Sequence, residues 1–271
     1  MKLTPEILFY LLLILMVLFT RFYDLGSRVM SHDESLHTQF SWYLEQGRGF
    51  SHDPLMHGPL QMHLVAFSYF LFGDSDASAR APAAISGVLA VVLVLLFRRW
   101  LGRWGTAAAA SLMAFSPYML YYSRYVRNES LIVPMALLMF YAVFRYVEDS
   151  QPKWLYLLAA ALALQFTAKE TAFIYTAQLL VFLGLLFALR VLRMQWQQNH
   201  HRWLFISGLG IGGLGGVLAI GSLFRGWAAS GEAAAATVPG TGEALASGVQ
   251  MSPLVPMGLL LALGGAALMV A

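Results

Sequence analysis

The 271-residue sequence contains no cysteine and little charge: Asp, Glu, Lys and Arg together make up 11% of it. The missing thiols exclude disulfides, thiolate metal sites and cysteine nucleophiles. The scarcity of charge excludes more. A soluble domain averages about 25% charged residues, whereas 59% of this chain is hydrophobic, more than one globular core buries. A formal net charge of +3, with no long run of Lys or Arg, offers no electrostatic track for a nucleic acid. The alternating ten-residue strands of an outer-membrane barrel are also absent, as is any fixed-period repeat. The chain reads as an all-α polytopic membrane protein.

What is present is a series of apolar runs, at residues 7–20, 82–97, 106–122, 131–147, 154–168, 171–192, 203–224 and 253–271. A bilayer-spanning helix needs about 20 such residues, and lipid cannot satisfy a bare backbone. The pattern therefore predicts about eight transmembrane helices. Arg21, Phe22, Tyr23 and Asp24 follow the first run where a small-residue cleavage site would stand, which predicts a retained signal anchor. The organisation expected is a transmembrane module over 1–225 with a long loop at 23–81. A flexible loop at 226–252, rich in Ala, Gly, Ser and Thr, and a final helix at 253–271 would follow. That last run reaches Ala271 without a polar end, which suggests a C-terminus cut short.

Residues 59–73 are apolar but short, and they carry Gln61 and His63. If this stretch lies along the interface without crossing, nine of the 17 Lys and Arg residues face the cytoplasm, the dense sets Arg98, Arg99, Arg103 and Arg190, Arg193, Arg202 among them. If it crosses, six do. The positive-inside rule favours the non-crossing arrangement. The loop 23–81, the stretch 123–130 and the turn at Lys169 and Glu170 then share the non-cytoplasmic side.

Those three segments hold the chemistry. The first contains five of the seven histidines within 32 positions, together with Asp33 and Glu34. A helix over 33–46 places Asp33, His37 and Phe40 on one face, with Ser31 or Asp33 as its cap. A carboxylate there can deprotonate an incoming hydroxyl, and neighbouring histidines can tune it or hold a metal. The same composition also describes an ordinary polar loop. Arg124, Arg127 and Glu129 lie between two spanning runs, either gripping an anionic headgroup or forming an internal Arg–Glu pair at the interface. Lys169 reads as an interfacial anchor or as a cation for a leaving phosphate. Gly208, Gly212 and Gly216 are spaced for helix packing. No Lys follows them as a phosphate-binding loop requires, so no nucleotide cofactor is expected.

In order, the motifs are His32, Asp33, Glu34 and Ser35; His57, Gly58, Pro59 and Leu60; Phe72 and Gly73; then Ala79, Arg80, Ala81 and Pro82. This series resembles the GT-C membrane glycosyltransferases, closest to the branch holding protein O-mannosyltransferases and the aminoarabinose transferase of lipid A. The segment from Arg124 to Glu129 and the turn Thr167, Ala168, Lys169, Glu170 are similar too. The resemblance implies a GT-C-like bundle whose first external loop contains juxtamembrane helices. It implies transfer of a sugar from a polyprenyl-phosphate donor to an acceptor hydroxyl on a protein, glycan or lipid, outside the cytoplasm of a prokaryotic plasma membrane and with inversion. On that analogy Asp33 is the catalytic base and Glu34 the second acid. Arg124, Arg127, Lys169 and His57 are candidates for the donor phosphate. Glu129 and His57 are candidates for a divalent metal. Several relatives carry Lys-Pro-Pro-Leu where this chain has His57, Gly58, Pro59 and Leu60. A non-catalytic lipid-sugar binder or flippase-like transporter is the competing class; broken helices or mid-membrane polar groups would mark it.

Overall fold

Helices form every regular element among the described residues, which are 4–51, 56–195, 199–235, 259–263 and 265–266 of a computed structural model. Helix α1 is Pro5–Phe22, opened by Thr4, whose hydroxyl accepts from the Ile7 N–H at 3.3 Å. The loop after it contains α2 (His32–Glu45) and α3 (Pro59–Phe72), the juxtamembrane helices expected there. Then come α4 (Asp76–Val94), α5 (Arg98–Phe115), the short α6 (Pro117–Tyr122), α7 (Asn128–Asp149) and α8 (Pro152–Ala168). They are followed by α9 (Ala172–Arg193) and α10 (Asn199–Ala235). The run expected at 106–122 is interrupted at Ser116, where Pro117 starts a new helix.

By length and apolar composition, five stretches among the described residues can cross a membrane. One of them, Asp76–Phe115, holds two passes, because Gly102 adopts φ +68 inside it. Side chains fix the direction of each pass. At one end Arg98 and Arg103 pair with Glu6 at 2.6 and 3.6 Å, and Arg99 pairs with Glu148 at 3.2 Å. At the other end an Arg21 Nη reaches the Met113 carbonyl at 3.5 Å, and Arg80 meets Glu34. Helix α4 thus runs away from α2, and α5 returns. Leu13 and Val17 of α1, Val91 and Val94 of α4, and Ala110 and Ala114 of α5 form the core between these passes. Helix α8, with 17 residues, returns α7 to the same end. Of the eight spans expected, α1, α4, α5, α7, α8, α9 and α10 are described. The run at 253–271 lies mostly outside the described residues, as does 236–252. Residues 226–235, expected as loop, are helical, and five alanines among them favour that state.

The chain divides into two compact units, Met1–Leu180 and Val181–Ala271. In the second, Gly265 approaches Gly208 and Gly212 so closely that a Cβ there would lie 2.4 Å from the Gly208 carbonyl oxygen. Gly208 and Gly212 thus show the small-residue packing expected of that series, while a Cβ at Gly216 would meet nothing within 4 Å. Everything that follows concerns the first unit.

Helix α3 does not cross. The Gly58 N–H donates to the Ala168 carbonyl at 3.1 Å, and the Ser78 hydroxyl donates to the Gly73 carbonyl at 2.6 Å. Both ends of α3 therefore meet the same end of the bundle. At about 1.5 Å per residue it lies along that end, with Phe67, Phe70, Leu71 and Phe72 exposed.

Two prolines sit inside helices that pack here, and each leaves a carbonyl four residues back without a donor. Pro82 frees the Ser78 carbonyl, which accepts the Ser68 hydroxyl at 2.6 Å; Pro134 frees the Ser130 carbonyl, which accepts the Ser86 hydroxyl at 2.6 Å. Neighbouring helices supply the missing hydrogen bonds, so both prolines are accommodated at depth.

Candidate active site

Ser31 caps α2, not Asp33. Its hydroxyl accepts from the Glu34 N–H while the Glu34 carboxylate accepts from the Ser31 N–H, a reciprocal capping box. That cap fixes the rotation of α2, and adjacent carboxylates diverge. Glu34 is fully buried. It receives Arg80 Nε at 2.8 Å and Arg80 Nη2 at 3.1 Å, Arg28 at 2.9 Å and the Val126 N–H at 3.2 Å. Burial pushes its carboxyl up, but the Arg80 hydrogen bonds and the two backbone N–H groups outweigh burial and hold it below the usual range. Asp33 points the other way, its side chain 49% exposed.

Asp33 begins a line of alternating charges. Its Oδ2 accepts from Arg127 Nη1 at 2.7 Å. Arg127 Nε lies 3.4 Å from Glu129 Oε2, and Lys169 Nζ donates to Glu129 Oε1 at 2.5 Å. Arg127 precedes the first turn of α7 and Glu129 lies within it, where the helix N-terminus favours negative charge. Lys169 ends α8, and Glu170 beside it pairs with His57 Nδ1 at 2.9 Å. Arg127 Nε and Glu129 Oε2 are buried without a hydrogen-bond partner among the described residues.

His37, one turn after Asp33, is 4% exposed behind this line. Burial first, then the positive charges of Arg127 and His57, push its pKa down to about 4. It is a neutral imidazole at pH 7. His57 has φ +58, a left-handed conformation uncommon outside glycine. The Gly58 bond to Ala168 and the Glu170 contact hold it there. A Cβ at Gly58 would lie 2.1 Å from the Thr167 carbonyl oxygen, so this junction between α3 and α8 requires glycine.

Of the residues singled out in the sequence, Asp33, Arg127, Glu129 and Lys169 come together, with His57 adjoining through Glu170. Two do not join them. Glu34 is enclosed with Arg80, and Arg124 turns toward α1, donating to the carbonyls of Thr20, Tyr23 and Asp24 at 2.8, 2.7 and 3.0 Å. Glu129 and His57 face Lys169 and Glu170 respectively, and no three His, Asp or Glu side chains gather at metal-site spacing among the described residues. Arg80 was given no role from sequence, whereas His37 was expected on the Asp33 face as a histidine able to tune that carboxylate or hold a metal. The signal for Arg80 was its place inside the Ala79–Pro82 motif.

Lys169 and Glu129 also open onto a groove of about 440 Å³ between α7 and the first turns of α9. Ile132, Val133 and Ile174 line it, with Tyr118, Tyr175 and Gln178. Its head is charged and its walls are largely apolar. The family model of dolichyl-phosphate-mannose-protein mannosyltransferases matches residues 56–212, more than half of the chain. The chain belongs to that family. The matched stretch carries His57, Arg80, Arg127, Glu129 and Lys169, while Asp33 and Glu34 precede it. As a member of the mannosyltransferase family, the chain is an integral membrane glycosyltransferase of the GT-C type. No curated protein matches it.

Proposed function

We propose that the chain moves a sugar, mannose by family, from a polyprenyl-phosphate donor to an acceptor hydroxyl on the non-cytoplasmic side. The observation that carries this reading is the line from Asp33 through Arg127 and Glu129 to Lys169, which ends at an amphiphilic groove. The isoprenoid tail lies against Ile132, Val133 and Ile174, with its phosphate at Lys169 and Arg127. The acceptor oxygen attacks the anomeric carbon and its proton passes to Asp33. The bond from that carbon to the phosphate oxygen breaks on the opposite face, releasing polyprenyl phosphate with inversion. A positioned base and cations aimed at the leaving oxygen each contribute about 10²-fold or more. His57 is assigned to the rim of the phosphate site. Glu34 and Arg124 are assigned to holding the loop that presents Asp33. No metal is assigned to Glu129 or His57, whose carboxylate and imidazole are engaged elsewhere. The acceptor is a hydroxyl of a protein, as the family name implies.

The basic set Arg98, Arg99 and Arg103, at the end opposite Asp33, supports a cytoplasmic location for that end. The charged groups of the site lie at one end of the bundle and not at mid-depth, which favours transfer over transport.

The test supplies proteoliposomes containing the full chain with labelled polyprenyl-phosphate mannose and an acceptor polypeptide. Label on the acceptor, with Lys169→Met raising the donor KM, supports the reading. Label crossing the bilayer without any transfer refutes it.

A further inference from the structure

A second cluster of cations lies on the α1 flank of the loop, and its pocket shares no lining residue with the donor groove. Leu25, Arg28, Arg80, Leu120, Tyr121 and Arg124 enclose a cavity of about 120 Å³. At about 30 Å³ per water, that is room for roughly four waters, the size class of a phosphate group. Three guanidinium groups line it. Among the described residues the one carboxylate bonded to them is Glu34, which Arg80 and Arg28 share from behind. Asp24, next to the cavity, contributes its carbonyl to Arg124. Arg21, buried one turn back on α1, has no carboxylate partner among the described residues, and its Nε makes no hydrogen bond there. The local balance is strongly positive.

Donors remain free to face a ligand. Arg28 uses only Nη2, on Glu34, leaving Nε and Nη1. Arg124 spends Nη1 and one Nη2 proton on carbonyls, leaving Nε. The Arg28 side chain is 45% exposed, yet its guanidinium is held 5.4 and 5.2 Å from the Tyr121 and Tyr125 ring centres. Stacking of this kind pre-organises an arginine that would otherwise lose rotamer freedom on binding. Phe22 and Tyr23 at the end of α1 and Tyr121 of the cavity wall are exposed, as in the aromatic belt where headgroups meet a membrane protein.

We propose that Arg28, Arg124 and Tyr121 form a binding site for a phosphate group at the membrane boundary, separate from the donor site. Basic pockets beside spanning helices hold anionic lipid headgroups in this way, and an occupant there ties the end of α1 to α6 and so steadies the loop carrying Asp33. The inference stands whether or not Asp33 is the base, because its test reads binding and not transfer.

The experiment titrates delipidated full-length protein in a neutral detergent with dioctanoyl phosphatidylglycerol, dioctanoyl phosphatidylcholine or inorganic phosphate, following the thermal unfolding midpoint. Phosphatidylglycerol is expected to raise the midpoint in a saturable way, and phosphatidylcholine less. Arg28→Gln weakens the apparent affinity about tenfold or more. Tyr121→Glu, which removes none of the side-chain hydrogen bonds described, does the same by placing a carboxylate at the opening. Equal response to inorganic phosphate identifies a free phosphate as sufficient; response to the lipid alone identifies a headgroup. Both support the site. No saturable response, or one undiminished in both variants, overturns it.

Discussion

Arg80 joins Glu34 by two hydrogen bonds, 2.8 and 3.1 Å long, across 46 residues of sequence, and neither side chain reaches solvent. The remaining Arg80 contacts are the carbonyls of Leu25 and Arg28. One guanidinium thus fastens the start of α4 to α2 and to the loop that leads into it. Asp33 owes its orientation to this clamp.

Replacing Glu34 with Gln leaves Arg80 buried without a counter-charge. Removing one partner of a buried pair costs about 3–5 kcal/mol, so E34Q should lower the unfolding midpoint sharply and reduce the yield of folded protein. Asp33→Asn disturbs a half-exposed pair worth at most about 1 kcal/mol and should leave the midpoint nearly unchanged. Thermal unfolding of the two variants side by side separates the carboxylates.

Ser68→Ala and Ser86→Ala remove the donors to the carbonyls that Pro82 and Pro134 leave open. Each should cost about 1–3 kcal/mol as a buried acceptor loses its partner. Combining Ser68→Ala with Pro82→Ala restores a helical N–H to Ser78 and should recover most of the loss. Failure of the double variant to recover would sever the link between the serine and the proline.

Gly58→Ala drives a methyl carbon into the Thr167 carbonyl. The α3–α8 junction must then open, separating His57 from Glu170. Activity should fall more than stability, measured as kcat/KM against the unfolding midpoint.

His37 gives a pH dependence of defined sign. Its folded pKa of about 4 lies below the ordinary 6.5, so the unfolded chain takes up a proton that the folded one refuses. Stability from this group is complete above pH 6.5 and is lost as pH falls toward 4, by about 3 kcal/mol in all. His37→Asn should flatten the midpoint-versus-pH curve across that interval.

The spans, the non-crossing α3 and the α2 helix were legible because apolar run length and capping chemistry are local. The shared end for Asp33, Arg127 and Lys169 followed from counting crossings. The division of labour was not legible. Asp33 and Glu34 are neighbours in sequence, and only the Ser31 cap, with an arginine 46 positions on, decides which is buried. Arg124 and Arg127 likewise differ by less than one helical turn, yet one faces α1 carbonyls and the other Asp33. Tertiary partners of that kind leave no spacing signature.

The most direct measurement is sugar transfer by Asp33→Asn in membranes, with wild-type protein and labelled polyprenyl-phosphate mannose for comparison. Asp33 as base predicts loss of transfer by about 10² or more, with donor binding and the unfolding midpoint retained. Transfer at the wild-type rate would contradict it.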